Sequence, residues 1–186
     1  KKPNEKECPS QKTRIRIQKS SIFLLRCFFF RMEIEQLYIA FLNATEISTD
    51  TRTLKKGALF FALSGPNFDG NRFAKEALAK GAEYVVVSDL NTLTNHSKVF
   101  LVKNTLATLQ QLANYHRKKL NILIIALTGS NGKTTTKELI REVLQKKFKV
   151  LATQGNLNNH IGVPLTLLQL TEQHEIGIIE MGANHV

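Results

Sequence analysis

From Met32 to Val186 the chain contains no cysteine; the two it has, Cys8 and Cys27, lie in the first 31 residues. A disulfide framework and a cysteine-ligated metal site are therefore excluded from residues 32–186, a usage that suits a reducing cytosol and leads us to expect a cytoplasmic location. Long apolar runs are absent too. The longest candidate, Ile22 to Phe30, is interrupted by Arg26 and stopped by Arg31, well short of the roughly 20 residues that cross a bilayer. Without a small-residue cleavage site it is a poor secretory signal as well, so no membrane insertion is expected. Acidic residues are scarce, 15 against 26 Lys and Arg, for a net charge of +11. That excess points to nucleic acid only until it is located. Residues 1–31 carry nine of the basic residues against Glu5 and Glu7, whereas residues 32–186 carry seventeen against thirteen acids. The basicity is mainly N-terminal, and no later helix interleaves a basic face with aromatics, so no nucleic-acid partner is expected. Met32 is read as the start of the globular sequence. Residues 1–31 are read as upstream sequence or an unstructured extension, with a membrane-surface anchor as the alternative for that segment.

What is present from Met32 onward is an alternation of apolar strands and amphipathic helices, which specifies an α/β fold. A helix over 33–42 is followed by a strand over 58–63, a loop over 64–70 and a helix over 71–80 with Phe73, Ala74, Ala77 and Leu78 on one face. Strands over 84–87 and 99–102 and a helix over 105–119 complete a small N-terminal α/β domain, placed at residues 32–120. In the last helix Leu106, Leu109, Leu112, Ala113 and His116 keep a three-four spacing, and Arg117, Lys118 and Lys119 complement its C-terminal dipole. A second unit, residues 121–186, offers a strand over 122–127, a helix over 134–148, a strand over 150–153, a helix beginning at Pro164 and a strand over 176–181. Three parallel strands with few covering helices read as the first part of a parallel-sheet domain, truncated here.

The segment Thr128-Gly129-Ser130-Asn131-Gly132-Lys133-Thr134 sits between a buried strand and a helix start. That order builds a phosphate cradle: turn amides and the positive end of the helix dipole face an anion, Lys133 adds a charge, and the Thr134 hydroxyl can hold Mg²⁺. The spacing is a short variant, since Leu127 occupies the place of the usual first glycine. A purely structural corner would explain the glycines. It would not explain Lys133 together with Thr134, Thr135 and Thr136 at a helix N-terminus, where a cation and the dipole repel. ATP binding with Mg²⁺ is the expectation. Glu180 ends an apolar strand on the sheet edge from which the loop departs, so it can ligate the same Mg²⁺; the alternative is an acid facing solvent. Asn156, Asn158, Asn159 and His160 gather in a loop on that edge, where they can bind a substrate carboxylate or serve as ordinary turn-formers. His160 has no partner at metal-ligand spacing. In the first unit, Thr51 and Arg52 precede a strand and Asn67, Asp69 and Gly70 follow it, a grouping suited either to a sugar nucleotide or to turns and a surface Asp50–Arg52 pair.

Four segments together resemble the Mur ligases, ATP-dependent amide-forming enzymes of peptidoglycan precursor synthesis. They are Asp50-Thr51-Arg52 with Gly57 to Leu63 and Asp69-Gly70; Thr128 to Thr136 with Lys137-Glu138; Gly155 to Pro164; and Glu180 to His185. The last two look like the branch that adds D-alanyl-D-alanine to UDP-N-acetylmuramoyl-tripeptide. The resemblance implies three domains, binding in turn the UDP-sugar, ATP and the incoming dipeptide. It implies that the tripeptide carboxylate becomes an acyl phosphate which the dipeptide amine then attacks. Under it Lys133 and Glu180 are catalytic, and Thr128 to Thr135 cradle the nucleotide. Thr134 and Glu180 hold Mg²⁺, Thr51, Arg52, Asn67, Asp69 and Gly70 face the UDP-sugar, and Asn158, Asn159 and His160 lie near its reacting end. The family's carbamylated lysine, its central-domain histidine and its dipeptide-binding domain fall beyond Val186, so residues 1–186 alone are expected to be inactive. A monomer is expected. The rival readings are another P-loop ATP-binding enzyme: a different Mur ligase, a ligase like folylpolyglutamate synthase, or a small kinase or GTPase. The α/β unit ahead of the loop and the lack of an Asn-Lys-x-Asp segment stand against the kinase and GTPase.

Overall fold

The computed structural model describes residues 34–89 and 97–182; the reading of residues 1–31 as an extension therefore lies outside the described residues, as does the segment 183–186. A first helix, α1, spans 34–43. It is followed by β1 (Ile47–Ser48), β2 (Leu59–Phe61), a hairpin of β3 (Ser64–Gly65) and β4 (Phe68–Asp69), a 3₁₀ turn at Gly70–Phe73, α2 (Ala74–Ala79), β5 (Tyr84–Val87), β6 (Val99–Leu101) and α3 (Thr105–Leu120). The chain continues through β7 (Leu123–Leu127), α4 (Lys133–Leu144), β8 (Val150–Ala152), α5 (Gly162–Leu167) and β9 (Ile176–Glu180). β1, β2, β5 and β6 form a parallel sheet in the order β1-β2-β5-β6, and the last three strands form a second parallel sheet in the order β7-β9-β8. Parallel strands need crossovers; the connection from β2 to β5 carries α2, and α4 and α5 lie on those of the second sheet.

Several element boundaries differ from the sequence expectation for local reasons. The strand at Ile47–Ser48 is too short to show a period; it exists by pairing with Leu59 and Phe60. The expected loop over 64–70 contains the β3–β4 hairpin, paired Ser64 to Asp69 and Gly65 to Phe68. The helix expected over 71–80 begins as a 3₁₀ turn, because the Asp69 carboxylate accepts the Asn71 amide at 3.0 Å and tightens its start. α4 stops at Leu144 rather than Phe148. Its end tightens into short-range bonds, Lys146 to the Val143 carbonyl (3.4 Å) and Lys147 to that of Leu144 (3.1 Å). α5 starts at Gly162, ahead of Pro164, because Asn159 Oδ1 accepts the amides of Ile161 (3.0 Å) and Gly162 (2.8 Å). α3 keeps its expected span, with Asn104 as N-cap, accepting from the Ala107 amide at 2.8 Å, and Asn121 as a left-handed C-cap.

Side chains alternate across the first sheet and fill both of its faces. Leu59, Phe61 and Val86 pack with Leu37 of α1 and with Leu109, Leu112 and Ala113 of α3. Phe60, Ala62, Val85 and Val87 pack on the other face against Ala74 and Ala77 of α2. The first of these clusters also takes in Leu168, with Ile161, Leu165 and Leu167 packed against it, so one hydrophobic core runs from α1 and α3 to α5. The described residues, 34–89 and 97–182, accordingly belong to one compact unit. His116, which the spacing assigns to the apolar face of α3, is 3% exposed. It lies in that core with Nε2 2.8 Å from the Leu170 carbonyl and Nδ1 3.2 Å from the Tyr38 hydroxyl. The neutral ring can donate to Leu170 and accept from Tyr38 at once, while Phe41 meets it edge-on at 4.9 Å.

Burial pushes the His116 pKa below the ordinary imidazole value, against the raising effect of its bond to Leu170. A lowered folded pKa means that the unfolded chain takes up this proton first. The stability His116 confers is thus fully present above about 6.5 and is lost as pH falls through its folded value. Thermal melts between pH 7.5 and 5 should show a steeper loss of Tm on acidification in the wild type than in His116→Phe. Equal slopes would contradict this placement of the ring.

Candidate functional site

The register of the second sheet sets the site. Leu127, the last residue of β7, is level with Glu180, the last of β9. The loop leaving β7 therefore begins beside the Glu180 side chain. Gly129 and Gly132 turn this loop with φ of +142° and +74°, values that side chains with a Cβ rarely adopt. Gly132 is the N-cap of α4 and no side chain caps the helix, so the first amides of α4 and its positive dipole end face the loop concavity. The Lys133 ammonium arches back over the loop to the Gly129 carbonyl at 2.6 Å. Both arrangements suit an anion: helix-start donors without a side-chain cap, and a cation held by uncharged carbonyl oxygen rather than by a carboxylate.

Beneath the loop lies a buried polar cluster. Glu180 is 1% exposed. The Thr134 hydroxyl lies 3.2 and 3.1 Å from its two carboxylate oxygens, and Asn158 Nδ2 donates to Oε1 at 2.9 Å. Lys137, also 1% exposed, donates to the Thr153 carbonyl at 2.6 Å and pairs with Glu138 at 3.0 Å and with Glu180 Oε2 at 3.8 Å. The Glu180 amide in turn donates to Thr153 Oγ1 at 2.9 Å. Thr134, Asn158 and Glu180 present hard oxygen and amide groups on one spot, a donor set that fits Mg²⁺ held by a hydroxyl, one carboxylate and phosphate oxygens. Among the described residues no cluster of three or more His, Cys, Asp and Glu gathers elsewhere to hold a metal.

The structure thus brings together Gly129, Gly132, Lys133, Thr134, Asn158 and Glu180, and leaves Thr128, Ser130, Asn131 and Thr135 exposed around the same loop. Asn159 takes the turn-former's role, its side-chain oxygen engaged at the start of α5. His160 is exposed, with its carbonyl accepting from Gln110 at 3.1 Å. Lys137 went unassigned by sequence reasoning. Its position three residues after Thr134 and four after Lys133 puts all three on one helix face, which was the available signal.

Around the first sheet, the candidate residues follow strand carboxyl ends. Arg52 is exposed and paired with Asp50 at 2.6 Å, which holds the Asp50 carboxyl down at about 2. Thr51 is buried, its carbonyl accepting from Lys80 at 2.9 Å. Asn67 is exposed in the turn between β3 and β4, and Asp69 and Gly70 open the 3₁₀ turn. The residue that organises this corner is one the sequence reading passed over, Asn71, 6% exposed. It donates to Asp69 Oδ1 (2.7 Å), Ser64 (3.2 Å) and Ser88 (3.1 Å), and accepts the amides of Ser88 (2.9 Å) and Asp89 (3.2 Å). A separate cleft of about 840 Å³, lined by Tyr38, Phe41, His116, Leu157, Leu165 and Leu170 among others, includes none of the residues of the β7–α4 loop.

Comparison with known proteins bears on both corners. Residues 43–124 match the model described as the Mur ligase family, catalytic domain, and residues 127–186 match the Mur ligase middle domain. The chain belongs to the Mur ligase family. It is 45% identical over 144 residues to the UDP-N-acetylmuramoyl-tripeptide–D-alanyl-D-alanine ligase of Haemophilus influenzae, covering 75% of this chain and 31% of that protein. It is 46% identical over 138 residues to the ligase of the same name from Bacillus subtilis, covering 73% of this chain and 30% of that protein. Among solved structures, MurF from Acinetobacter baumannii superposes with a TM-score of 0.72 at 34% identity, covering 83% of this chain and 35% of the other. The MurF ligase of Thermotoga maritima in complex with ADP gives 0.69 at 33% identity, covering 78% and 33%. The chain spans about a third of the length of these Mur ligases. The mixed α/β architecture with parallel sheets is that of the MurF structures.

Asp69 titrates below the ordinary carboxylate value, first because the Asn71 side chain and amide donate to it and then because Ser64 does. Its contribution to stability is present above that ordinary value and lost as pH falls through the lowered one. Asn71→Ala should move the Asp69 titration, followed by carboxyl ¹³C NMR, upward toward 3.8. An unmoved midpoint would show that Asn71 does not organise this corner.

Proposed function

We propose that the whole protein forms an amide bond at the expense of ATP, adding D-alanyl-D-alanine to UDP-N-acetylmuramoyl-tripeptide in cytoplasmic peptidoglycan precursor synthesis. The observation that carries the nucleotide part is the Thr134 hydroxyl facing both oxygens of the buried Glu180 carboxylate directly below an uncapped helix start. The substrate part is supported by the names of the curated relatives and by their identity of about 45%. No observation favours a kinase, a GTPase or a folate ligase.

In this reading the amides of Gly129 to Thr135 cradle the β- and γ-phosphates. Lys133 leaves the Gly129 carbonyl for a phosphate oxygen, where its charge counters what develops as the γ-phosphoryl group transfers. Thr134 and Glu180 hold Mg²⁺, which when bound neutralises phosphate charge. Asn158 fixes the Glu180 carboxylate beside the loop and places an amide near the tripeptide carboxylate. That carboxylate displaces ADP from the γ-phosphorus to give an acyl phosphate. The dipeptide amine then attacks the acyl carbon, and inorganic phosphate leaves as the amide forms. No protein nucleophile is needed; the residues neutralise charge and align reactants. The Thr51–Arg52 and Asn67–Gly70 loops are assigned to the UDP-sugar.

Phosphate release from ATP, measured on the whole protein, should require both the UDP-linked tripeptide and D-alanyl-D-alanine. It should fall by about a hundredfold or more in Lys133→Ala, the scale expected for removing a charge that stabilises the transition state. Residues 1–186 alone, a third of the length of the curated relatives, are expected to bind nucleotide without forming amide. Turnover indifferent to either substrate would contradict the cell-wall assignment, and amide formation by residues 1–186 would contradict the division of labour.

A further inference from the structure

Lys137 has no role in the proposal above, yet it is a lysine buried to 1% exposure, which a core tolerates only when the ammonium is fully partnered. Its three partners are not equivalent. The Thr153 carbonyl at 2.6 Å, just past β8, and Glu138 at 3.0 Å, the next residue of α4, fix the ammonium in place. Glu180 Oε2 lies 3.8 Å away, too far for a good hydrogen bond and close enough for strong attraction where water is excluded. The ammonium therefore acts on the carboxylate as a fixed charge behind it. From the front, Thr134 bridges both oxygens and Asn158 holds Oε1. Thr153 closes the arrangement by accepting the Glu180 amide, so the same short segment anchors both the cation and the backbone of the acid.

From this geometry we infer that Lys137 is a positioning residue for Glu180, holding its carboxylate aimed at Thr134 so that the pair can receive the divalent cation that accompanies the nucleotide. The inference rests on the reading of this corner as a Mg·nucleotide site. The Lys137 ammonium engages Thr153, Glu138 and Glu180, and it acts through Glu180 from outside the ligand set. Partners of this kind commonly set metal affinity without altering the ligands themselves.

The test is ADP binding by calorimetry on the 186-residue chain, in EDTA and across a Mg²⁺ titration, for the wild type, Lys137→Met, Glu180→Gln and the double variant. In the wild type Mg²⁺ should tighten ADP binding. In Lys137→Met the Mg²⁺ concentration for half of that gain should rise about 10- to 100-fold, the range for loss of an outer partner of a metal ligand, while ADP affinity in EDTA stays at the wild-type value. Glu180→Gln should raise it similarly and the double variant no further, because both substitutions break one linkage. An unchanged Mg²⁺ requirement in Lys137→Met, or a parallel loss of affinity in EDTA, would overturn the inference and leave Lys137 a packing residue. Should Lys137→Met fail to fold, the double variant, which removes both buried charges, is compared with Glu180→Gln alone. Equal Mg²⁺ requirements then support the inference, and a further rise overturns it. A wild-type chain that binds ADP with no help from Mg²⁺, or not at all, would overturn the Mg·nucleotide reading itself, and the inference with it.

Discussion

Glu180 ends a strand inside the protein, and a carboxylate withdrawn from water costs several kcal/mol unless charge and hydrogen bonds replace the solvent. Much of the second sheet is arranged around meeting that requirement. α4 contributes a hydroxyl from Thr134 and an ammonium from Lys137, the loop after β8 contributes the Asn158 amide, and Thr153 receives the Glu180 backbone. Removing one partner of such a buried pair typically costs about 3–5 kcal/mol. A cluster of this kind is a poor stabiliser but a strong organiser, because few arrangements satisfy every member. Here the satisfied arrangement is also the one that sets a hydroxyl and a carboxylate under an open helix N-terminus.

The support for that cluster reaches into the first sheet. α3 packs on β2 and β5 through Leu109 and Leu112, and the same cluster includes Leu168 with Ile161 and Leu165 beside it. Gln110 holds the His160 carbonyl, and Asn159 binds the amides that open α5. The loop that offers Asn158 to Glu180 is thus gripped on one side by α5 and on the other by α3. A loop positioned by two packed helices can present a side chain with the precision that binding charged phosphates requires. His116, bonded to the Leu170 carbonyl, adds a polar tie in the same seam.

How much of this was legible in the residues depends on whether the signal was local. The strand–turn–helix corner at Gly129–Lys133 could be read because its glycines, lysine and hydroxyls follow one another in order, and the place of Glu180 could be read because a strand end is predictable. The short β1 and the β3–β4 hairpin could not, since strands of two residues are defined by their partners rather than by a period. Asn159 was ambiguous as turn-former or substrate contact, and its geometry shows the cap. Lys137, quoted only as part of a motif, and Asn71 were given no role for one reason. Each is a polar residue whose importance lies in burial among groups distant in sequence, Lys137 beside Thr153 and Glu180, Asn71 beside Ser88. Helical spacing places Lys137 on the face of Lys133 and Thr134 but does not reveal its burial, and nothing in the spacing marks Asn71.

The central claim is that the corner formed by the β7–α4 loop, Asn158 and Glu180 receives a Mg²⁺-bound nucleotide. Amide NMR of the ¹⁵N-labelled chain titrated with ADP and Mg²⁺ tests it most directly. The account predicts that the largest shifts fall on Gly129 to Thr135, Asn158 and Glu180, with those of Asn158 and Glu180 appearing only when Mg²⁺ is present. Shifts confined to the cleft around Tyr38 and Leu165, or none in the β7–α4 loop, would contradict it.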